Sequence, residues 1–305
     1  MRKIFFIILA VGISLVSKAQ QDPQFSQNMY NLLTFNPAFA GVGDEMTGSV
    51  INRQQWMGFE NAPVSTAFNG NVPLRVGSRM HGLGLTVMSD KLGFENKTTI
   101  KFQYAYQFKI LNGILNAGLS LGLQNNALNG KWDANDENDP ILNGGSTDAS
   151  KMVFDAGLGF YYRSKTLYLG ASSTHINKPN VAYNEKNKIY LYRHYYIMGG
   201  YKYVLTNQID IIPSFFFKTD GRMSQYDINT NVVYNKKYRS GVSYRVDDAI
   251  VFLAGILLKN GLDIGIAYDV SVSDIKKPSL EFMLAYHFTP SLIKRKQKYK
   301  SIRFL

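Results

Sequence analysis

The sequence contains no cysteine, which removes disulfides, thiolate metal sites and a lipid-modified N-terminal cysteine. Charge is sparse, at 18% Asp, Glu, Lys and Arg. The four histidines, His81, His175, His194 and His287, lack any ligand spacing of the H-E-x-x-H kind. Past the N-terminal segment there is no run approaching the roughly 20 apolar residues that a membrane helix needs, and the mean hydropathy of −0.16 resembles that of a soluble protein. What is abundant is 20 Tyr, 19 Phe and 26 Gly. A helical bundle would favour Ala, Leu, Glu and Lys, whereas strands whose faces meet different solvents, with aromatic girdles at the interfaces, use this composition.

The first residues specify a compartment. Arg2 and Lys3 are followed by an apolar run from Ile4 to Val16 and by the small-x-small site Ser17-Lys18-Ala19, the pattern of a cleavable secretory signal. Gln20 is the expected mature N-terminus. The net charge of +12 falls to about +9 once Arg2, Lys3 and Lys18 are removed. Six basic residues with no acid lie between Lys294 and Arg303. The positive balance therefore belongs largely to a tail, and a secreted protein with that distribution is not expected to bind nucleic acid.

Period-two alternation in segments of roughly ten residues, closed by Gly, Asn, Asp or Lys, organises the rest. Leu115, Ala117, Leu119, Leu121 and Leu123 alternate with Asn116, Gly118, Ser120, Gly122 and Gln124. Phe154 to Arg163 and Leu262 to Val270 repeat the pattern. Ile100, Phe102, Tyr104, Tyr106 and Phe108 oppose a face carrying Lys101 and Lys109. Those lysines would be costly in a dry sandwich core and are expected to face a wet lumen. A soluble sandwich with one solvated face would not need so many aromatics on a single face.

About fourteen strands are expected, at residues 47–56, 64–73, 81–90, 97–110, 113–125, 152–163, 166–175, 193–204, 208–218, 226–234, 238–246, 249–258, 261–270 and 279–288. The prediction is an all-β, antiparallel up-and-down transmembrane barrel with the even strand number of single-chain bacterial barrels. Turns after even-numbered strands are short, and connections after odd-numbered ones mostly longer, notably 126–151 and 176–192, with an exception near Asp247. Since such barrels turn tightly on the periplasmic side, both termini are expected there. The expected organisation is a signal peptide at 1–19, a plug or periplasmic segment at 20–45, the barrel at 46–289 and a basic periplasmic tail at 290–305.

Several motifs have plain readings. Gly118-Leu119-Ser120-Leu121-Gly122 matches the G-x-S-x-G nucleophile elbow, but that motif works only at a strand-to-helix turn, and here it falls mid-strand. The acidic stretch Asp133 to Asp139 packs oxygen ligands without the glycine and terminal Glu of a calcium loop, and a solvated external loop is the simpler reading. Lys294, Arg295, Lys296, Lys298 and Lys300 form a possible periplasmic contact or a site for anionic lipid. No catalytic residue, metal site or cofactor is assigned.

The N-terminal segment is more specific. Asp22-Pro23-Gln24-Phe25-Ser26-Gln27, then Met29, then Asn36-Pro37-Ala38-Phe39-Ala40-Gly41, with Arg53-Gln54-Gln55-Trp56 following on the first strand, closely resembles the opening motif of the PorP/SprF family of type IX secretion system membrane proteins. That resemblance implies a Bacteroidota outer-membrane barrel without enzymatic activity. Its partners would be a secreted surface adhesin, in some members one of gliding motility, and periplasmic secretion components or a peptidoglycan-linked protein. Taken on their own residues, Phe25, Met29, Phe35 and Phe39 are too hydrophobic for a free linker. The segment is expected to plug the periplasmic mouth, with turns fixed by Pro37 and Gly41 and with Arg53, Gln55 or both meeting it from the wall. An ordinary N-terminus packed below the barrel is the simpler alternative for the segment. A diffusion porin or small-solute transporter is the alternative function.

Overall fold

The structure, a computed structural model, describes residues 22–131, 146–182 and 188–289. The wall begins with β1 (Met46–Gln54), β2 (Val64–Val76), β3 (Arg79–Leu92), β4 (Glu95–Ile110), β5 (Gly113–Lys131), β6 (Ser146–Arg163) and β7 (Leu167–Thr174). A two-stranded hairpin, β8 (Asn180–Ala182) and β9 (Lys188–Tyr190), forms a separate small sheet beside β6. The wall resumes with β10 (His194–Tyr201) and its short continuation β11 (Tyr203–Val204), then β12 (Ile209–Thr219), β13 (Ser224–Tyr234), β14 (Tyr238–Arg245), β15 (Ala249–Leu257), β16 (Leu262–Ser271) and β17 (Ser279–Phe288). Every pairing is antiparallel between sequence neighbours in the wall, and β1 pairs with β17 from Met46↔Phe288 to Gln54↔Leu280. With β10 and β11 counted as one strand, the result is a closed fourteen-stranded barrel with no free edge.

Alternation produces this wall. On β4, Phe102 is 66% exposed on the outside while its neighbour Lys101 is 6% exposed on the inside. Leu119, Leu121 and Leu123 of β5 face out, and Asn116, Ser120 and Gln124 are buried within. Ser120 lies mid-strand and no helix follows it in the chain there, so the strand-to-helix turn that the motif requires is absent.

Three expectations are corrected. The strands of the β5–β6 hairpin run on past Gln124, pairing out to Lys131↔Ser146, so both ends of the expected 126–151 connection are ladder. The first strand stops at Gln54: the Gln55 amide still bonds in register to the Pro63 carbonyl, but Trp56 takes a φ of +49° and turns the chain out of the ladder. Lys101 does not face water: it is buried and held 3.2 Å from Asp155, so pairing rather than hydration offsets its desolvation. Lys109 is exposed at the end of its strand.

Two rims follow from the topology. The near rim, where β1 begins and β17 ends, carries short turns throughout, such as 77–78, 111–112 and 235–237. The far rim carries 55–63 and 175–193 but also the tight turns 93–94, 220–223 and 246–248, so short connections there are more numerous than the one near Asp247. The 133–139 acidic stretch, the leader and the basic tail lie outside the described residues.

Candidate functional site

Residues 22–44 occupy the lumen. Lacking alternation, they fold as consecutive turns: a 3-10 turn at Asn28–Tyr30, one α-helical turn at Leu32–Phe35 and a second 3-10 turn at Pro37–Phe39. Pro37 opens the last of these, and the Asn36 side chain caps it by accepting the Ala38 amide at 2.9 Å. Phe25, Leu32, Phe35 and Ala38 pack against inward-facing Ile51, Met88, Tyr161, Met198, Phe216 and Met283. Phe35 sits 5.0 Å from Phe216 and 5.3 Å from Tyr196, centroid to centroid. Each fully buried Phe or Leu contributes about 1.5–3 kcal/mol, so this segment is an internal core rather than a passing linker.

Two glycine contacts let the backbones touch. Gly41, at φ +68°, lies against Gly82 of β3, where a Cβ on either residue would fall on the other's backbone. A Cβ on Gly118 of β5 would fall on the Ala38 backbone. The segment's peptide groups are then met by wall amides. Gln107 donates to the Gly41 carbonyl at 2.8 Å, Asn116 donates to that of Ala38 at 3.0 Å, and Asn71 accepts the Gly41 amide at 2.5 Å. Ser172 donates to the Phe35 carbonyl at 2.8 Å.

One end of the segment is fastened by charge. Glu281 of β17 accepts the amides of Ser26 and Gln27 at 2.7 and 2.8 Å. The Ser26 hydroxyl donates to Asp269 at 2.8 Å and accepts from Arg53 and Arg245. Arg53 also reaches Asp269 at 2.7 Å, and Arg245 bridges Asp227, Asp248 and Asp269, each at 3.2 Å. Gln24 and Asn28 both donate to Asp227 at 3.0 Å. Arg53, Arg245 and Glu281 are among the largest fully buried side chains of the protein, and each meets opposite charge or hydrogen-bond partners within this network, with Arg53 Nε left unpaired.

A second cluster surrounds Asp22. Its carboxylate accepts from Tyr196 at 2.5 Å and Thr174 at 3.2 Å and lies 3.0 Å from His175 Nε2, while Lys218 donates to its carbonyl at 2.9 Å. The Asp22 amide donates to His194 Nε2 at 3.2 Å, and His175 Nδ1 lies 2.8 Å from Asp155. Burial would raise the Asp22 carboxyl, but His194, His175 and Lys101 outweigh it and hold it well below its ordinary value. Burial would likewise depress His175, yet the charge of Asp22 and the hydrogen bonds of Asp155 and Asp22 carry it up to about 9.

These contacts set the direction of the segment. Gly41 meets residues near the start of β3 and the end of β4, and Ala38 meets residues near the start of β5, all toward the near rim, whereas Asp22 meets the end of β7, the start of β10 and the end of β12, toward the far rim. The segment thus runs the length of the lumen instead of closing one mouth. The described chain begins toward the far rim and ends at the near one, so its two ends do not share a side.

Of the residues singled out in the sequence, Asp22, Gln24, Phe25, Ser26, Gln27, Asn36, Pro37, Ala38, Gly41 and Arg53 come together in the lumen, and Pro23 lines a small cavity beside Asp22. Gln55 and Trp56 do not join them, since they belong to the far-rim connection, where the Trp56 amide donates to Ser279. The wall charges that grip the segment, Asp227, Arg245, Glu281 and Lys218, escaped sequence reading as a set, as did the pairing of His175 with His194. Their signal was a lone charge on the inward face of an alternating strand, which does not say what it meets.

No curated protein matches the sequence. Among solved structures, the chain is similar to the Ralstonia pickettii toluene transporter TbuX, at 14% identity over 84% of this chain and 92% of that one, TM-score 0.47. It is similar to the Acinetobacter baumannii outer membrane protein Omp33, at 7% identity over 81% and 100%, TM-score 0.49. The Pseudomonas putida toluene transporter TodX gives 12% identity over 85% and 93%, TM-score 0.48. The model of the type IX secretion system membrane protein PorP/SprF family matches residues 17–286, and the chain belongs to that family.

Proposed function

We propose that this outer-membrane barrel works as a non-enzymatic adaptor of type IX secretion, helping to export a secreted surface protein or adhesin or to hold it at the surface. In this reading the chain is exported through its leader, the near rim faces the periplasm, and the tail with Lys294, Arg295, Lys296, Lys298 and Lys300 meets periplasmic secretion components or a peptidoglycan-linked protein. The far-rim connections, 175–193 among them, would meet the exported protein, and gliding adhesins are one class of cargo. The observation that carries the reading is the lumen filled by residues 22–44 through a buried charge network. A diffusion porin needs a water-filled path, and a barrel that spends its interior on holding its own chain is better suited to presenting surfaces at its two rims.

Removal of the gene from its host tests this directly. Surface display of at least one exported protein should be lost, while uptake of small solutes is unchanged. Normal export together with reduced solute uptake would overturn the adaptor reading in favour of the porin.

A further inference from the structure

The cluster around Asp22 has the construction of a metal site. Asp22, His175 and His194 each offer one ligand atom, and the three atoms lie within 4.8 Å of one another. Both imidazoles are oriented from behind. His175 Nδ1 is held by the Asp155 carboxylate at 2.8 Å, which turns Nε2 toward Asp22. His194 Nε2 accepts the Asp22 amide, so its Nδ1 carries the hydrogen that goes to the Tyr192 carbonyl at 3.1 Å; the Nε2 lone pair thus points into the cluster, and an ion bound there takes the place of the amide hydrogen bond. A carboxylate or carbonyl behind each ligating histidine is the usual support of such ligands, fixing tautomer and ring direction.

A cavity of about 20 Å³, lined by Asp22, Pro23, Asp90, His175, Tyr192 and His194 among others, adjoins the three ligand atoms, and a space of roughly 10–15 Å³ already admits one water. The neighbouring ammonium groups each have a partner: Lys101 has Asp155, Lys97 on the cavity wall has Glu95 at 3.4 Å, and Lys218 has the Asp22 carbonyl. Tetrahedral bonds of about 2.0–2.1 Å would place the ligand atoms about 3.3 Å apart, so binding draws together three atoms that lie within 4.8 Å of one another. Two imidazoles with one carboxylate suit zinc and its neighbours rather than calcium or magnesium, which prefer all-oxygen shells. Backbone placement adds to the case: His175 is held at φ +53°, off the end of β7, by the bond from the Lys178 amide to its own carbonyl.

We propose that Asp22, His175 and His194 bind one zinc-class divalent ion, with water in the fourth position, and that this ion staples the start of the luminal segment to β10 and to the connection after β7. Asp155 and the Tyr192 carbonyl are positioning groups, and the segment and the wall each supply part of the shell. The site therefore exists only while the segment is seated.

The test uses the full chain, purified in detergent without a polyhistidine tag, stripped with a chelator and titrated with Co²⁺. One equivalent is expected to bind saturably, give visible absorption of a nitrogen–oxygen site and be displaced by Zn²⁺. Asp155→Asn should weaken binding by about 10–100-fold, and His194→Gln and Asp22→Asn by at least as much. His81→Gln and His287→Gln, outside the trio, should leave it unchanged. Because the unaltered protein gives the primary reading, a variant that misfolds does not protect the proposal. Absence of saturable one-to-one binding by the folded parent barrel would overturn it, as would binding that survives in folded His194→Gln and Asp22→Asn.

Discussion

Ser26, on the luminal segment, accepts a hydrogen bond from Arg53 of the wall at 2.5 Å, and its own hydrogen goes to Asp269 at 2.8 Å. A second guanidinium, Arg245, approaches the same oxygen at 3.1 Å. One donor and two lone pairs are all that a hydroxyl has, so this fully buried side chain is used to capacity between two positive groups and one negative.

Removing it should therefore cost more than an exposed serine would. Ser26→Ala is expected to weaken seating of the segment by about 1–3 kcal/mol, the penalty for leaving buried partners unmet. Arg53→Met leaves Glu281 and Asp269 short of a counter-charge and should cost about 3–5 kcal/mol. Thermal unfolding together with protease cleavage between residues 22 and 44 would read both. Equal stability of Arg53→Met and the parent would mean that the network does not hold the segment.

The glycine contacts make a steric prediction that involves no charge. Gly118→Val puts a branched side chain where the Ala38 backbone lies, and Gly82→Val does the same at Gly41. β-Branched residues suit a strand, so the wall should still assemble while the segment is displaced. Increased proteolysis within residues 22–44, with unchanged sheet content by circular dichroism, is the expected outcome. Intact protection in both variants would place the segment elsewhere.

A pH dependence follows for protein freed of metal. His175 is raised to about 9, above its unfolded value of roughly 6.5, so its contribution is complete below about 6.5 and is lost as pH rises through 9. Asp22 is lowered, so its contribution is present above an unfolded value of about 3.9 and is lost on acidification through its folded value. The groups facing this pair are Asp155, His194, Tyr196, Lys101 and Lys218. Seating of the segment in chelated protein should thus weaken between pH 7 and about 10, and His175→Gln should flatten that limb in a protease-protection profile against pH.

The wall was legible in the sequence and its contents only partly so. Alternation at 97–110 and 113–125 identified strand faces because hydrocarbon on one side and a polar interior on the other impose a period of two. The same signal fails where the interior is itself apolar: Ser214 to Lys218 reads as three consecutive Phe between polar ends, and only Phe216 among them enters the lumen core. Residues 22–44 carry no period, yet their Phe, Pro and Gly indicated a folded segment. Its direction was hidden, since Asp22 meets His175 and His194 from more than 150 positions away, as the separations of their hydrogen bonds record. Lys101 was placed correctly on the inner face, but its partner Asp155 lies on another strand, and spacing alone could not link them.

The most direct test is ion conductance of the purified barrel in a planar bilayer. A lumen occupied from Gly41 to Asp22 predicts no steady conductance from the parent protein and an ohmic step once residues 22–44 are deleted or Gly118→Val displaces them. A parent barrel that conducts steadily, at the level of its own deletion variant, would contradict the account.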